Sequence, residues 1–165
     1  QEIINRVAKS KLKTIDLDFF CPKTERISFD IKPWLKDELF LLEKDFRKKV
    51  ENFEWQNFNN KAVFIICSND AIIPDWAFIL VSSQLNNQGI TNVIGSKEVL
   101  DIKLITDSIN TFDFSIYKDK PVIIKGCSDQ KIPLSAYSVL LEKLQHHAKS
   151  IMFGEACSSV PIYKS

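Results

Sequence analysis

The sequence predicts an α/β fold: a mainly parallel central sheet from two tandem α-β-α-β repeats, with an N-terminal antiparallel hairpin on its edge. Two continuous apolar strands, residues 62–67 and 121–126, lie between segments of helical periodicity. Uninterrupted apolar strands that alternate with helices are typical of a parallel sheet covered on both faces. When the sequence is shifted by 59 residues, the first strand and its flanking segments align with the second strand and its flanking segments, which indicates the repeat.

A chain of 165 residues has the usual length of one domain. We predict a single domain with four segments: an N-terminal arm and hairpin, a first repeat, a second repeat and a C-terminal tail. In that order they are residues 1–42, 43–95, 96–155 and 156–165.

The elements before the repeats are short. Residues 2–9 have the spacing of an amphipathic helix, and residues 14–20 alternate like a strand or an extended arm. Residues 26–31 alternate with period two, Pro33 begins a break, and residues 38–42 resume extended structure. The last two extended segments form the predicted hairpin.

Each repeat begins with an amphipathic helix, the second of which is predicted over residues 97–110. A core strand and a Cys-Ser loop follow, and then a helix that begins at Pro74 or Pro133. Proline is favoured in the first turn of a helix because its missing N–H would be unpaired there. A short strand closes each repeat at Gly95 or Gly154.

Composition argues against several classes of function. A formal net charge of +1 with scattered lysines gives no field that would attract nucleic acid. No apolar run is long enough to cross a bilayer, and the first residues lack the order of a secretory signal. Four cysteines without a CxxC pair are typical of a reducing compartment. We therefore expect a cytoplasmic protein that binds neither nucleic acid nor membrane.

Three Cys-Ser pairs mark the candidate site. Cys67 and Cys127 follow the two core strands, and Cys157 follows the last strand. Because the carboxyl ends of parallel strands meet at one edge of a sheet, we expect these thiols to converge there with the carboxylates of Asp70 and Glu155. Three thiolates with an oxygen ligand suit zinc, and they also suit an iron–sulfur cluster. The sequence predicts a metal-binding accessory protein with a protein partner in metal or sulfur handling.

Two other functions remain open. In the first, Cys67 or Cys127 is a reactive thiolate of a thiol enzyme or sulfur carrier, favoured by the helix N-terminus that follows it. His146 and His147 lie far along the helix from the Cys127 loop, roughly 20 Å at 1.5 Å per residue, so a Cys–His dyad within one subunit is not expected. In the second, the cysteines are structural, as we expect for Cys21, and the hairpin edge is a homodimer surface.

Long motifs occur along the whole chain. They are EIINRVA at residues 2–8, FDIK at 29–32, EKDFR at 43–47, DAIIP at 70–74 and KSIMFGE at 149–155. In these motifs the sequence resembles the bacterial family catalogued as domain of unknown function 2480. The resemblance extends to the three Cys-Ser segments and leaves out Cys21 and the two histidines. Since the family has no assigned activity, the resemblance implies no mechanism.

Overall fold

A computed structural model describes residues 11–126 and 131–165 of the chain. Those residues form a mixed α/β structure with four α-helices and two mostly parallel sheets. The helices are α1 Glu43–Asn52, α2 Asp75–Asn87, α3 Lys97–Thr111 and α4 Leu134–Gln145. The strands are β1 Lys13–Ile15, β2 Glu25–Asp30, β3 Lys61–Ile66, β4 Asn92–Ile94, β5 Pro121–Ile124, β6 Ser150–Phe153 and β7 Val160–Lys164. No helix in these two ranges is both long and apolar enough to span a membrane.

The chain divides into two compact units. The central unit is Lys23–Lys103, and the terminal unit combines Gln1–Pro22 with Leu104–Ser165. Each unit has one of the two sheets and a buried apolar core of its own.

The sheet of the central unit has the order β2-β3-β4, and both pairings are parallel. Helix α1 buries Phe46 and Val50, four residues apart on one face. Helix α2 buries Ala77, Val81 and Leu85 in the same way. These helices pack into one core with the inward side chains of β2 and β3, and so cover the face of the sheet that contains Phe29, Val63 and Ile65.

The sheet of the terminal unit has the order β1-β5-β6-β7. Strands β1, β5 and β6 are parallel, whereas β7 is antiparallel to β6 with an irregularity between Ile151 and Met152. Helix α4 buries Leu140 and Leu144 in a core that also contains Cys21, as the sequence predicts for that cysteine.

The two units share details of backbone geometry. Val63 pairs with Asn92 in the central unit, and the residues 59 positions later, Val122 and Ile151, pair in the terminal unit. Helices α2 and α4 both follow a proline, with φ and ψ of −61° and 137° before α2 and of −61° and 135° before α4. The predicted helix over residues 97–110 is confirmed as α3.

Three predictions differ from the structure. Instead of one central sheet there are two, because β1 and β2 each belong to a different sheet. Instead of an antiparallel hairpin, β2 pairs in parallel with β3, and residues 38–42 contribute one isolated bridge between Lys36 and Phe40. The reason is that alternation identifies a strand but not its partner. The expected tail contains β7, and the expected helix over residues 2–9 lies outside the described residues.

Candidate functional site

Cys67 and Asp70 lie in the loop that follows β3 in the central unit. Cys67 is half-buried, and its thiol donates a hydrogen bond of 3.0 Å to Oδ1 of Asn69. Asp70 is exposed. The predicted position of Cys67 at the end of a core strand is therefore confirmed. The hydrogen-bond partner of its thiol is an amide oxygen, which cannot act as a general base.

Cys157 and Glu155 lie in the turn between β6 and β7 of the terminal unit, and both are exposed. Cys127 lies outside the described residues. The residue before it, Gly126, packs so closely on Gly154 that an added Cβ atom would lie 3.2 Å from Cα of Gly154.

The predicted convergence of thiols and carboxylates is not found in the part of the chain that the structure describes. No three His, Cys, Asp or Glu side chains in residues 11–126 and 131–165 form a group that could hold a metal ion. Two of the predicted ligands, Cys67 and Asp70, belong to the central unit, and Cys157 and Glu155 belong to the terminal unit. One shared sheet edge was the premise of the prediction, and the strands instead form two sheets.

The histidines lie at the opposite end of α4 from its first turn. His146 is the C-terminal cap residue of α4, and the main-chain oxygen of His147 accepts a hydrogen bond of 2.9 Å from the N–H of Asp119. This position at the C-terminal end of α4 is the one expected from the sequence.

Asp30 joins the ends of β2 and β3. Its Oδ1 accepts hydrogen bonds of 3.0 Å from the main-chain N–H groups of Lys32 and Ser68. Burial opposes the charged carboxylate, but hydrogen bonds from the side chain of Ser68 and from these N–H groups, with the charge of Lys32, outweigh it. The pKa of Asp30 therefore lies below its ordinary value of 3.8.

Asn69 joins the loop after β3 to the segment before α1. Its Oδ1 accepts from the Cys67 thiol and, at 3.3 Å, from the N–H of Ala71. Its side-chain amide donates to the main-chain oxygen of Glu38. The Glu38 carboxylate pairs with Lys32 at 3.1 Å, so Glu38 is linked both to the loop after β3 and to Lys32.

An open apolar groove of about 740 Å³ lies between these segments, lined by residues within 36–42 and 70–74. The side chains of Leu39, Phe40 and Ile72 are 54%, 59% and 94% exposed. The main chain reaches this arrangement through a tight turn in which Asp37 and Glu38 have φ of 51° and 56°. Such positive φ values are costly for residues other than glycine, and the turn directs apolar side chains outward.

Two carboxylates and one ammonium group border the groove. Asp37 and Asp70 are exposed, and so is Lys36. Sequence reasoning missed this site because Phe40, Leu41 and Leu42 have the composition of a buried strand. The available signal was the pair Ile72-Ile73 directly before a helix-opening proline. A short loop can bury one of two adjacent apolar side chains, so the other is left exposed.

Comparison with curated proteins gave no match, and comparison with solved structures gave none either. A family model described as "Protein of unknown function (DUF2480)" matches residues 1–165, which is the whole chain. The resemblance read from the motifs is thereby confirmed, and the chain belongs to the DUF2480 family.

Proposed function

We propose that this chain is a non-enzymatic interaction protein that binds an apolar segment of a partner protein in the groove of its central unit. The observation that carries this proposal is the exposure of Leu39, Phe40 and Ile72 around one concave surface. Exposed apolar side chains that cluster inside a polar rim mark interaction sites in soluble proteins.

The energetics favour binding by a few anchors. Full burial of one Leu, Ile or Phe side chain contributes about 1.5–3 kcal/mol relative to exposure. Two or three such side chains, buried against matching groups of a partner, offset a substantial part of the entropy that association costs. The Asn69 bridge to Glu38 supports the groove, because it fixes both lining segments before a partner arrives.

The charges at the rim indicate the chemistry of the partner segment. Asp37 and Asp70 outnumber Lys36 beside the groove. A basic side chain next to the apolar anchors would be attracted there, whereas an acidic one would be repelled. We therefore expect a segment with two or three apolar residues flanked by Lys or Arg.

The comparison of the two units adds support. In the central unit the segment 36–42 follows the 3-10 helix Lys32–Trp34. In the terminal unit the chain passes from the 3-10 helix Leu17–Phe20 through Cys21 and Pro22 directly into the central unit. The segment that lines the groove has no counterpart there, which favours a specific role for it.

Selection from a displayed random-peptide library, followed by affinity measurement, tests this function. We expect peptides with apolar residues and a basic flank, whose affinity falls at least tenfold in Phe40→Ser and in Ile72→Ser. Ile116→Ser is the matched control, since Ile116 is 50% exposed in the terminal unit. Peptides that bind wild-type protein and all three variants equally would contradict the proposal.

A cysteine-bound zinc ion or iron–sulfur cluster is the second candidate function, and it suits the reducing conditions of a cytoplasmic location. The close packing of Gly126 on Gly154 supports it, because Cys127 is the next residue after Gly126 and Cys157 follows Gly154 by three positions. Cys67, Asp70 and Glu155 remain the other predicted ligands. A partner protein in metal or sulfur handling would complete this function.

Metal analysis of untagged protein beside Cys67→Ser, Cys127→Ser and Cys157→Ser tests the second candidate. We expect stoichiometric metal in the wild type and its loss in Cys127→Ser and Cys157→Ser. The Cys67→Ser result shows whether that thiol is also a ligand. The same metal content in all four proteins would rule out a thiolate site.

We further propose that residues 43–95 and 96–155 are two copies of one α-β-α-β unit. The equal strand register and the matching prolines support this proposal. Asn60 and Asp119, 59 positions apart, have φ of 63° and 57°, which is a further correspondence between the proposed copies.

A further inference from the structure

Strand β4 is an edge of the central sheet, whereas its counterpart β6 lies inside the terminal sheet. Strand β6 pairs with β5 on one side and with β7 on the other. Strand β4 pairs with β3 alone among the described residues. The same position in the two sheets is thus covered in one and open in the other.

The main-chain groups of β4 that face this edge are identified by its pairing with β3. Thr91 accepts a hydrogen bond of 2.9 Å from the N–H of Val63, and Gly95 donates one of 3.0 Å to Ile65. In a parallel pair the main-chain N–H and C=O groups of every second residue point toward the neighbouring strand, so those of Val93 point toward β3. The N–H and C=O groups of Asn92 and Ile94 therefore point to the open side.

The edge is rigid before anything pairs with it. The Asn92 side chain is buried and accepts a hydrogen bond of 2.6 Å from Ser82. Its amide donates to Oδ1 of Asn86 at 2.8 Å and to the main-chain oxygen of Ile90 at 3.0 Å. A strand fixed in this way loses little conformational entropy when it acquires a neighbour.

A cavity lies beside the first residue of β4. A cavity of about 390 Å³, lined in part by Asn86, Thr91 and Lys103, borders Asn92. At the other end of the strand the Ile94 side chain is 47% exposed. Edge strands with free main-chain groups are templates for pairing with another chain.

We infer that β4 binds an extended segment of a partner protein as an added antiparallel strand, as β7 covers β6. The internal pairing supplies the pattern of side chains. Val160 lies opposite Phe153, and Tyr163 lies opposite Ile151. If the same pattern applies to β4, the partner strand has an apolar residue opposite Ile94. Opposite Asn92 it has an aromatic residue with a polar group, as tyrosine is. Main-chain hydrogen bonds to Asn92 and Ile94 give affinity, and the side chain opposite Ile94 gives specificity.

A synthetic peptide with the sequence of residues 159–165, titrated into the full chain and followed by amide NMR signals, tests the inference. We expect the largest shifts at Asn92 and Ile94, together with at least tenfold slower amide exchange at both. Ile94→Pro removes the edge-facing N–H and leaves the hydrogen bonds of Val93 and Gly95 to β3 in place. We expect this variant to bind at least tenfold more weakly, and Ile94→Thr, which keeps the N–H, to bind more strongly than Ile94→Pro.

Ile94→Lys is a second variant in case Ile94→Pro does not fold, since a charged edge also opposes strand addition. Phe40→Ser, in the groove, is expected to leave the peptide-induced NMR shifts at β4 unchanged. A failure of the β4 inference can therefore be told apart from a failure of the proposed groove function. Amides of Asn92 and Ile94 already protected in the free monomer would overturn the inference. So would protection that rises with protein concentration, which would assign the edge to a second copy of the chain.

Discussion

The main-chain N–H of Ser68 donates a hydrogen bond of 3.0 Å to Oδ1 of Asp30, across the ends of strands β3 and β2. The same oxygen accepts from Lys32, where the chain turns toward the groove segment. In the terminal unit Oδ1 of Asp16 accepts in the same way from the N–H of Asp18 at 2.9 Å. One carboxylate at the end of the first strand thus organises the loop in each unit.

The hydrogen bonds of Asp30 predict a pH-dependent contribution to stability. Since folding lowers the pKa of Asp30 below 3.8, its ionised form stabilises the fold at pH values above 3.8. This contribution is lost as the pH falls through the folded pKa, below 3.8. We expect Asp30→Asn to lower the free energy of unfolding by about 1 kcal/mol at pH 7 and by less near pH 3.

Urea unfolding of wild type and Asp30→Asn between pH 3 and pH 7 measures this difference. Asp37→Asn is a suitable control, because Asp37 is an exposed carboxylate in the same segment. A difference between wild type and Asp30→Asn that stays constant over the whole range would contradict the assigned pKa direction.

Asn60 and Asp119 occupy the left-handed region of backbone space, with φ of 63° and 57°. This conformation costs a residue that has a Cβ and no compensating polar group about 1–2 kcal/mol. We expect Asn60→Ala and Asp119→Ala each to destabilise by about 1 kcal/mol, and the two glycine substitutions to be neutral or stabilising. Thermal unfolding measures both. Asn59→Ala is the control, since Asn59 has φ of −55°, and equal losses for Asn59→Ala and Asn60→Ala would contradict the prediction.

The sequence allowed prediction of those features that depend on local pattern. Pro74 and Pro133 correctly locate the starts of α2 and α4, because their effect on backbone geometry is local. The choice of strand partner is not local, and one alternating segment satisfies either a hairpin or a parallel pair. The groove was missed for a related reason: phenylalanine is usually a core residue, whereas Phe40 is exposed after the left-handed turn at Asp37 and Glu38.

Trp55 stabilises the end of α1 through its indole N–H, which donates a hydrogen bond of 2.9 Å to the main-chain oxygen of Val50. The last carbonyl groups of a helix lack partners within the helix, so this bond satisfies one of them. We expect Trp55→Phe to cost about 1 kcal/mol, since the ring still packs on Phe53 while the hydrogen bond is lost. Trp55→Leu, which also loses ring contacts, should cost more. Circular dichroism during urea unfolding measures the series, and a Trp55→Phe variant as stable as wild type would contradict this role.

The three described cysteines differ in access, so their rates of reaction with a maleimide should differ in a defined order. Cys157 is exposed, Cys67 is half-buried, and Cys21 is 8% exposed, with its thiol donating to the main-chain oxygen of Leu17 at 3.4 Å. In a Cys127→Ser background we expect Cys157 to react first and Cys67 more slowly. Cys21 should react at least about 100-fold more slowly than Cys157, because its sulfur becomes accessible only when the core of the terminal unit opens. Mass spectrometry of labelled peptides measures each rate. Reaction of Cys67 at the rate of Cys157 would show that the Asn69 hydrogen bonds do not hold the loop after β3 closed.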